Sequence, residues 1–148
     1  MDQRRPSDWS IIEAVVDEEM RKRLAPLLDR WKQGDFIWDE GFAPDMLVTG
    51  FSADGPERAR GPEEIAGYLS RIFKQFRDYR VEATGFEQLG DEIMLMEGRQ
   101  FGTGRLSGLE VAESLYIVFR FRSGRLTEMH WHPGRDEALA AAGLGDDH

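Results

Sequence analysis

The stretch Leu115-Tyr116-Ile117-Val118-Phe119-Arg120-Phe121-Arg122-Ser123-Gly124-Arg125-Leu126-Thr127-Glu128-Met129-His130-Trp131-His132 decides the fold. Apolar and polar residues alternate on both sides of Ser123-Gly124, the pattern of paired strands joined by a tight turn. A two-residue turn sets Phe121 opposite Leu126, Phe119 opposite Glu128, Ile117 opposite His130 and Leu115 opposite His132. One face then reads Glu113, Leu115, Ile117, Phe119, Phe121, Leu126, Glu128, His130, His132. The other reads Ala112, Ser114, Tyr116, Val118, Arg120, Arg122, Arg125, Thr127, Met129, Trp131. The first face is apolar enough to lie under helices. Its ionisable members need partners or a water-filled cavity, because a buried unpaired charge costs several kcal/mol.

Upstream the same period of two continues. It predicts strands over 79–89, 92–101 and 109–122, joined at Gly90-Asp91 and by a loop over 102–108, before the last strand over 125–132. Before residue 79 the period is helical. Gly61-Pro62-Glu63-Glu64 puts proline at a first helical position and acids in the first turn, where they favour the positive end of the helix dipole. Ile65, Tyr68, Leu69, Ile72, Phe73 and Phe76 then share one face, so this helix lies flat on something apolar. Residues 46–51 have strand composition, and Asp54-Gly55-Pro56 releases the chain into a loop.

Nearer the N-terminus, Ser10 with Glu13 is a capping-box pattern, and Ile12, Val16, Met20, Leu24, Leu27, Leu28 and Trp31 recur at helical steps. Pro26 inside that run predicts a kink or two consecutive helices. Gly34 and Asp35 stop it, and residues 35–42 are expected to form a short helical stretch with Phe36, Ile37 and Phe42 turned inward. Residues 135–142 make a terminal helix closed by Gly143. Helices first and antiparallel strands after predict an α+β domain with helices on one side of a sheet. A flexible arm over 1–9, one domain over 10–144 and a polar tail over 145–148 complete the expected organisation.

With 148 residues, 41% apolar and 11% aromatic, the chain can build one sizeable core. Its 28 acidic against 19 basic residues give a formal charge of −9, which repels nucleic acid and anionic membrane alike. The absence of cysteine removes disulfides, thiolate nucleophiles and thiolate zinc sites, and fits a cytoplasmic location. Charges interrupt the first twenty residues, so neither a signal-peptide core nor a spanning helix is expected there.

If the hairpin before the decisive stretch keeps the same parity, Ile93, Leu95, Glu97 and Arg99 join the helix-facing side, and Glu97, Arg99, Glu113, His130 and His132 converge. In that arrangement His130 or Glu113 serves as general base, and Arg99 orients a carboxylate or stabilises developing negative charge. Glu97, His132, Tyr68 and Phe119 are expected to line a pocket there, although helix packing already explains the spacing of Tyr68 with Phe73 and Phe76. The same charges are equally a salt-bridge network at the sheet's open end. His130-x-His132 has a spacing that a metal can use, but no third histidine is near in sequence, so no metal is expected. Gly102-Thr103-Gly104-Arg105 lacks the flanks of a phosphate or dinucleotide loop, so no organic cofactor is expected either. Tyr116, Val118, Met129 and Trp131 on the opposite face have the composition of half a homodimer interface, or of an ordinary covered sheet.

Several phrases, in their order and spacing, resemble a known family. They are Trp31-Lys32-Gln33-Gly34-Asp35-Phe36, Arg60-Gly61-Pro62-Glu63-Glu64-Ile65, the run from Gly102 to Gly108, Phe119-Arg120-Phe121-Arg122-Ser123-Gly124-Arg125, and Arg135-Asp136-Glu137-Ala138-Leu139 with Ala142-Gly143-Leu144. Over roughly residues 18–144 the chain resembles the SnoaL-like family of the nuclear transport factor 2-like superfamily. The resemblance implies a cone-shaped fold, a curved antiparallel sheet wrapped on helices, a pocket between them, and commonly a dimer through the sheet. The superfamily includes polyketide cyclases, ketosteroid isomerases, limonene-type epoxide hydrolases and binding modules, so fold does not fix function. Ketosteroid isomerases carry a carboxylate base on the first strand, and Met46-Leu47-Val48-Thr49-Gly50-Phe51 holds no acid. Glu97, Arg99 and Glu113 match by residue type the arginine and carboxylates of the epoxide hydrolases, while His130 stands where relatives carry an acid.

These readings lead to an enzyme doing acid/base hydrolysis, isomerisation or cyclisation on a small, largely apolar molecule, or to a non-catalytic ligand-binding or dimeric module. In the module, Arg99→Ala is expected to cost a few kcal/mol by stranding a buried carboxylate.

Overall fold

Where the large apolar side chains can be buried sets which residues form the elements and how the strands align. The computed structural model describes residues 18–36, 38–52 and 55–144. Among them the chain runs α1 (Glu18–Lys32), β1 (Phe42–Ser52), β2 (Gly55–Arg60), α2 (Gly61–Gln75), β3 (Phe76–Gly90), β4 (Ile93–Gly104), β5 (Glu110–Arg122), β6 (Arg125–His132) and α3 (Arg135–Ala141). The strands form one open, curved sheet in the order β2-β1-β6-β5-β4-β3. All described neighbours are antiparallel except β1 and β6, which run parallel. The class is α+β, as the change of period predicts. No helix among the described residues is long and apolar enough to cross a membrane.

α1 buries Met20, Leu24, Leu27 and Trp31 on the sheet. Pro26 does not divide it. The residue is exposed, on the side where water can take up the carbonyl left without a donor. α2 begins at Gly61-Pro62 and buries Ile65, Tyr68 and Ile72 of the face read from the sequence, whereas Phe76, read as part of that face, opens β3 instead. The expected start of the first helix at Ser10, the arm, Ile37, Asp54 and the tail over 145–148 lie outside the described residues.

Several expectations need correction. The stretch before β1 is not helical: Asp39 accepts a hydrogen bond from the Gly41 amide at 2.7 Å and from Arg30 at 2.8 Å, so its side chain competes with helical backbone bonding. Residues 55–60 are not a loop but edge strand β2, paired to β1 from Leu47↔Arg60 to Ser52↔Gly55. Among them only Ala59 is buried, and a polar edge strand containing Pro56 carries no strand signature. Finally, α3 does not join the other helices. It packs on the opposite face of the sheet, where Ala138 and Ala142 cover Leu95 and Val118.

The largest correction is register. Arg122↔Arg125 and Phe121↔Leu126 pair as predicted, but a bulge between Arg120 and Phe121 sets Arg120 opposite Glu128 and Val118 opposite His130. Thr127 is the extra residue, and its hydroxyl donates to the Arg120 carbonyl at 3.1 Å. Beyond it every side chain of β6 changes face. Met129 and Trp131 turn into the helix-covered core, while Glu128, His130 and His132 turn outward. The energetics favour this strongly. Burying two large apolar side chains gains about 1.5–3 kcal/mol each, whereas the uninterrupted register buries three ionisable groups against helices.

Candidate functional site

The inner face of the sheet carries Met94, Met96, Ile117, Phe119 and Met129 at its centre, all buried under α1 and α2. Toward the end where β4 finishes and β5 begins, the packing opens into a cavity of about 210 Å³. Helix α2 contributes Tyr68, Ile72 and Gln75, and the start of β3 contributes Phe76 and Tyr79. Opposite stand Gln100, Glu113, Leu115 and Trp131. A smaller apolar hollow of about 80 Å³ lies on the other side of Tyr68 and Trp131, toward Trp31 and Phe36.

Polar groups on the cavity wall are few and placed. The Tyr79 hydroxyl donates to Gln100 Oε1 at 2.8 Å. Burial pushes this phenol well above its ordinary value, and neighbouring Tyr68 and Glu113 add to the shift, so it stays a neutral donor. Gln100 and Glu113 are register partners on β4 and β5 and therefore face the cavity together. The Tyr68 hydroxyl lies over Gly50, where any side chain would collide with it. That glycine is the sequence trace of the contact. The indole of Trp131 is 6% exposed, and among the described residues its Nε1 has no hydrogen-bond partner.

On the outer face a second polar arrangement is buried. His130, 1% exposed, places Nε2 2.8 Å from Glu128 Oε1 and Nδ1 2.8 Å from Thr49 Oγ1. Thr49 Oγ1 is also 3.1 Å from His132 Nε2. The directions follow from donor counting. A carboxylate only accepts, so neutral His130 carries its proton on Nε2, Nδ1 accepts from the Thr49 hydroxyl, and Thr49 accepts from His132 Nε2–H. Burial lowers the His130 pKa despite the Glu128 hydrogen bond and charge, with Arg120 and Arg58 acting in the same direction as burial. Burial, then His130, lowers that of His132 against the pull of Glu137. Glu128 also meets Arg120 Nε at 3.3 Å. Among the described residues no cluster of three or more His, Asp or Glu side chains is disposed to hold a metal.

The sequence profile of the SnoaL-like domain matches residues 26–129. The chain belongs to the SnoaL-like domain family. No curated protein matches it in sequence. Solved structures resemble it in fold. A candidate SnoaL-like polyketide cyclase from Jannaschia sp. CCS1 aligns over 100% of this chain and 99% of its own, with TM-score 0.65 at 15% identity. A hypothetical protein of ketosteroid isomerase-like fold from Catenulispora acidiphila DSM 44928, crystallised with trimethylamine, aligns over 87% of this chain and 95% of its own, with TM-score 0.60 at 20% identity. TerC, co-crystallised with polyporic acid, aligns over 88% of this chain and all of its own, 100%, with TM-score 0.65 at 16% identity.

In this SnoaL-like domain the residues expected to converge are divided between the faces. Tyr68, Glu113 and His132 belong to the cavity wall. His132 does so at the end of β6, with Nε2 held by Thr49 on the outer side. Phe119 shares the inner face but sits in the solid core, its ring 6.2 Å from that of Trp31. Glu97, Arg99 and His130 do not reach the cavity. Glu97 pairs with Tyr116 and Arg99 with Ser114, which places both on the outer face. Both are exposed, and Arg99 donates to the Ala112 carbonyl at 3.1 Å, with no carboxylate in ion-pair contact among the described residues. The expected interface patch divides too: Tyr116 and Val118 are outward, Val118 under α3, while Met129 and Trp131 are inward. Tyr79, Gln100 and the Trp131 nitrogen were not identified from sequence, because only the true register aligns them.

Proposed function

We propose that this SnoaL-like domain binds a small, largely apolar molecule in the cavity between α2 and the sheet. The observation that carries the reading is the Trp131 indole nitrogen, a buried donor without an acceptor among the described residues, on a side chain that lines both the cavity and the smaller apolar hollow. Such a donor costs about 1–3 kcal/mol while unmet, and an acceptor on a ligand offsets that cost. Tyr79, Gln100 and Glu113 supply a polar edge, so the ligand is an apolar body with at least one hydrogen-bond acceptor. Titration of tryptophan fluorescence with a panel of neutral ring compounds tests the reading. Saturable change in wild type, lost in Val111→Trp, which fills the rim, is expected. A panel that moves nothing, or a Val111→Trp variant that binds as before, rejects it.

A second reading rests on Glu113. It is the carboxylate among the described cavity residues, beside a neutral tyrosine donor. A carboxylate there suits abstraction of a proton from a bound carbon acid, with the Gln100 Nε2–H, its amide oriented by the Tyr79 hydroxyl, donating to the oxygen that gains charge and no organic cofactor needed. Once a ligand is known, Glu113→Gln is expected to abolish turnover while leaving affinity within about threefold; equal turnover in the variant excludes this step.

A further inference from the structure

At the C-terminal ends of α1 and α2 the surface opens into a cleft of about 480 Å³, lined by Phe73 and backing onto the cavity through Phe76 and Tyr79, which line both. Lys32, Arg77, Arg80 and Arg105 line it, with Asp78 as the one acidic residue in the lining. A second hollow shares Phe73 and Arg105 with it and adds Lys74. Lys32, Lys74, Arg77 and Arg105 are exposed, and among the described residues none has a carboxylate within 4.0 Å. Arg80 lies 4.7 Å over the Phe101 ring with Glu82 at 3.9 Å.

The grouping is built by backbone geometry. Arg77 pairs with Thr103 and Arg80 with Phe101, so β3 carries one residue more than β4 at this point. Asp78, a non-glycine residue at φ 57, supplies the turn of the chain. The bulge buries Tyr79 between cavity and cleft and keeps Arg77 and Arg80 both on the cleft. Arg105 is fixed in place, its Nε donating to the Phe73 carbonyl at 2.7 Å.

Charge counting decides whether the cleft attracts anions. Against the four cations of the lining stand Asp78, Glu82 and two helix C-termini, and each helix end acts as roughly half a negative charge. About one positive charge remains, on a chain whose formal total is −9. An anionic polymer or membrane meets the whole repulsive field, but a small anion inside the cleft responds mainly to charges within about 10 Å. We infer that the cleft is a second binding site that takes a small aromatic anion, its ring on Phe73 and Phe76 and its carboxylate or sulfonate among Lys32, Arg77 and Arg105.

A matched dye pair tests this on the full chain. 1-Anilinonaphthalene-8-sulfonate and N-phenyl-1-naphthylamine share their rings and differ in the sulfonate. The sulfonate dye is expected to bind about tenfold tighter at low ionic strength, and to lose that advantage as salt rises to about 0.5 M. The double variant Lys32→Gln/Arg77→Gln lowers its affinity about fivefold or more and leaves the neutral dye unchanged. Val111→Trp, at the cavity rim, leaves sulfonate binding intact. Equal affinity for the two dyes, or no change in the double variant, overturns the inference. Loss of sulfonate binding in Val111→Trp overturns it too, while leaving the cavity reading standing; a neutral dye that fails to bind anywhere counts against the cavity alone.

Discussion

The two faces of β6 solve opposite problems within a few residues of each other. Met129 and Trp131 face inward and are held by area: they sit among apolar side chains that tolerate small displacements. Thr49, His130 and His132 face outward and are held by direction, each hydrogen placed by the one before it. The inner face can therefore leave room for a ligand, whereas the outer face has little slack. A cavity belongs where packing is non-directional, and the buried histidines belong where a carboxylate can fix their tautomers.

The contrast can be broken from either side. Phe119→Ala in the solid part of the inner face is expected to cost about 3–5 kcal/mol, read from the urea midpoint. Thr49→Val keeps the shape of the outer network but strands both imidazole nitrogens, at about 1–3 kcal/mol; a neutral result means the network is not bonded as described. Acidification acts on the same network. Both imidazoles titrate below their ordinary value because burial disfavours the charged ring. Between about pH 6.5 and the lower folded values the unfolded chain binds protons that the folded chain refuses, so stability is full above about 6.5 and falls as pH drops through that window. Thermal unfolding against pH checks this, and a flat profile contradicts it.

On the cavity side, Trp131→Phe removes the stranded donor. It is expected to lower affinity for acceptor-bearing ligands about tenfold, with no loss of stability; parallel loss of both quantities points to packing alone. The smallest effect belongs to Arg99. Exposed and bonded to a carbonyl, Arg99→Ala is expected to change stability by less than about 0.5 kcal/mol, in place of the few kcal/mol that a buried ion pair requires.

Local periodicity made α2, β4, β5, β6 and α3 legible, and the phrases around Trp31, Gly61 and Phe119 made the family legible. What failed was parity. The Ser123-Gly124 turn was read correctly, yet one bulged residue at Thr127 reassigned Glu128, Met129, His130, Trp131 and His132 together. The clue was present: Leu126 and Met129 are both large and apolar at a spacing of three, which a regular strand cannot bury on one face. β2 was illegible for a different reason, since an edge strand needs little apolar character. Thr49 was not singled out because its histidine partners lie 81 and 83 residues away.

The parallel junction of β1 with β6 has a consequence for how the chain is made. The strands β3 to β6 form a meander whose partners are adjacent in sequence, so that unit can assemble as it emerges. β1 cannot complete its central pairing until β6 exists. Thr49 waits for a partner 81 residues downstream, an interval of about 4–16 s at a synthesis rate of about 5–20 residues per second. During that interval Met46 and Val48 have no finished sheet to cover them. This places the most aggregation-exposed moment of folding on β1, the first of the described strands, and makes its insertion between β2 and β6 the late, topologically demanding step.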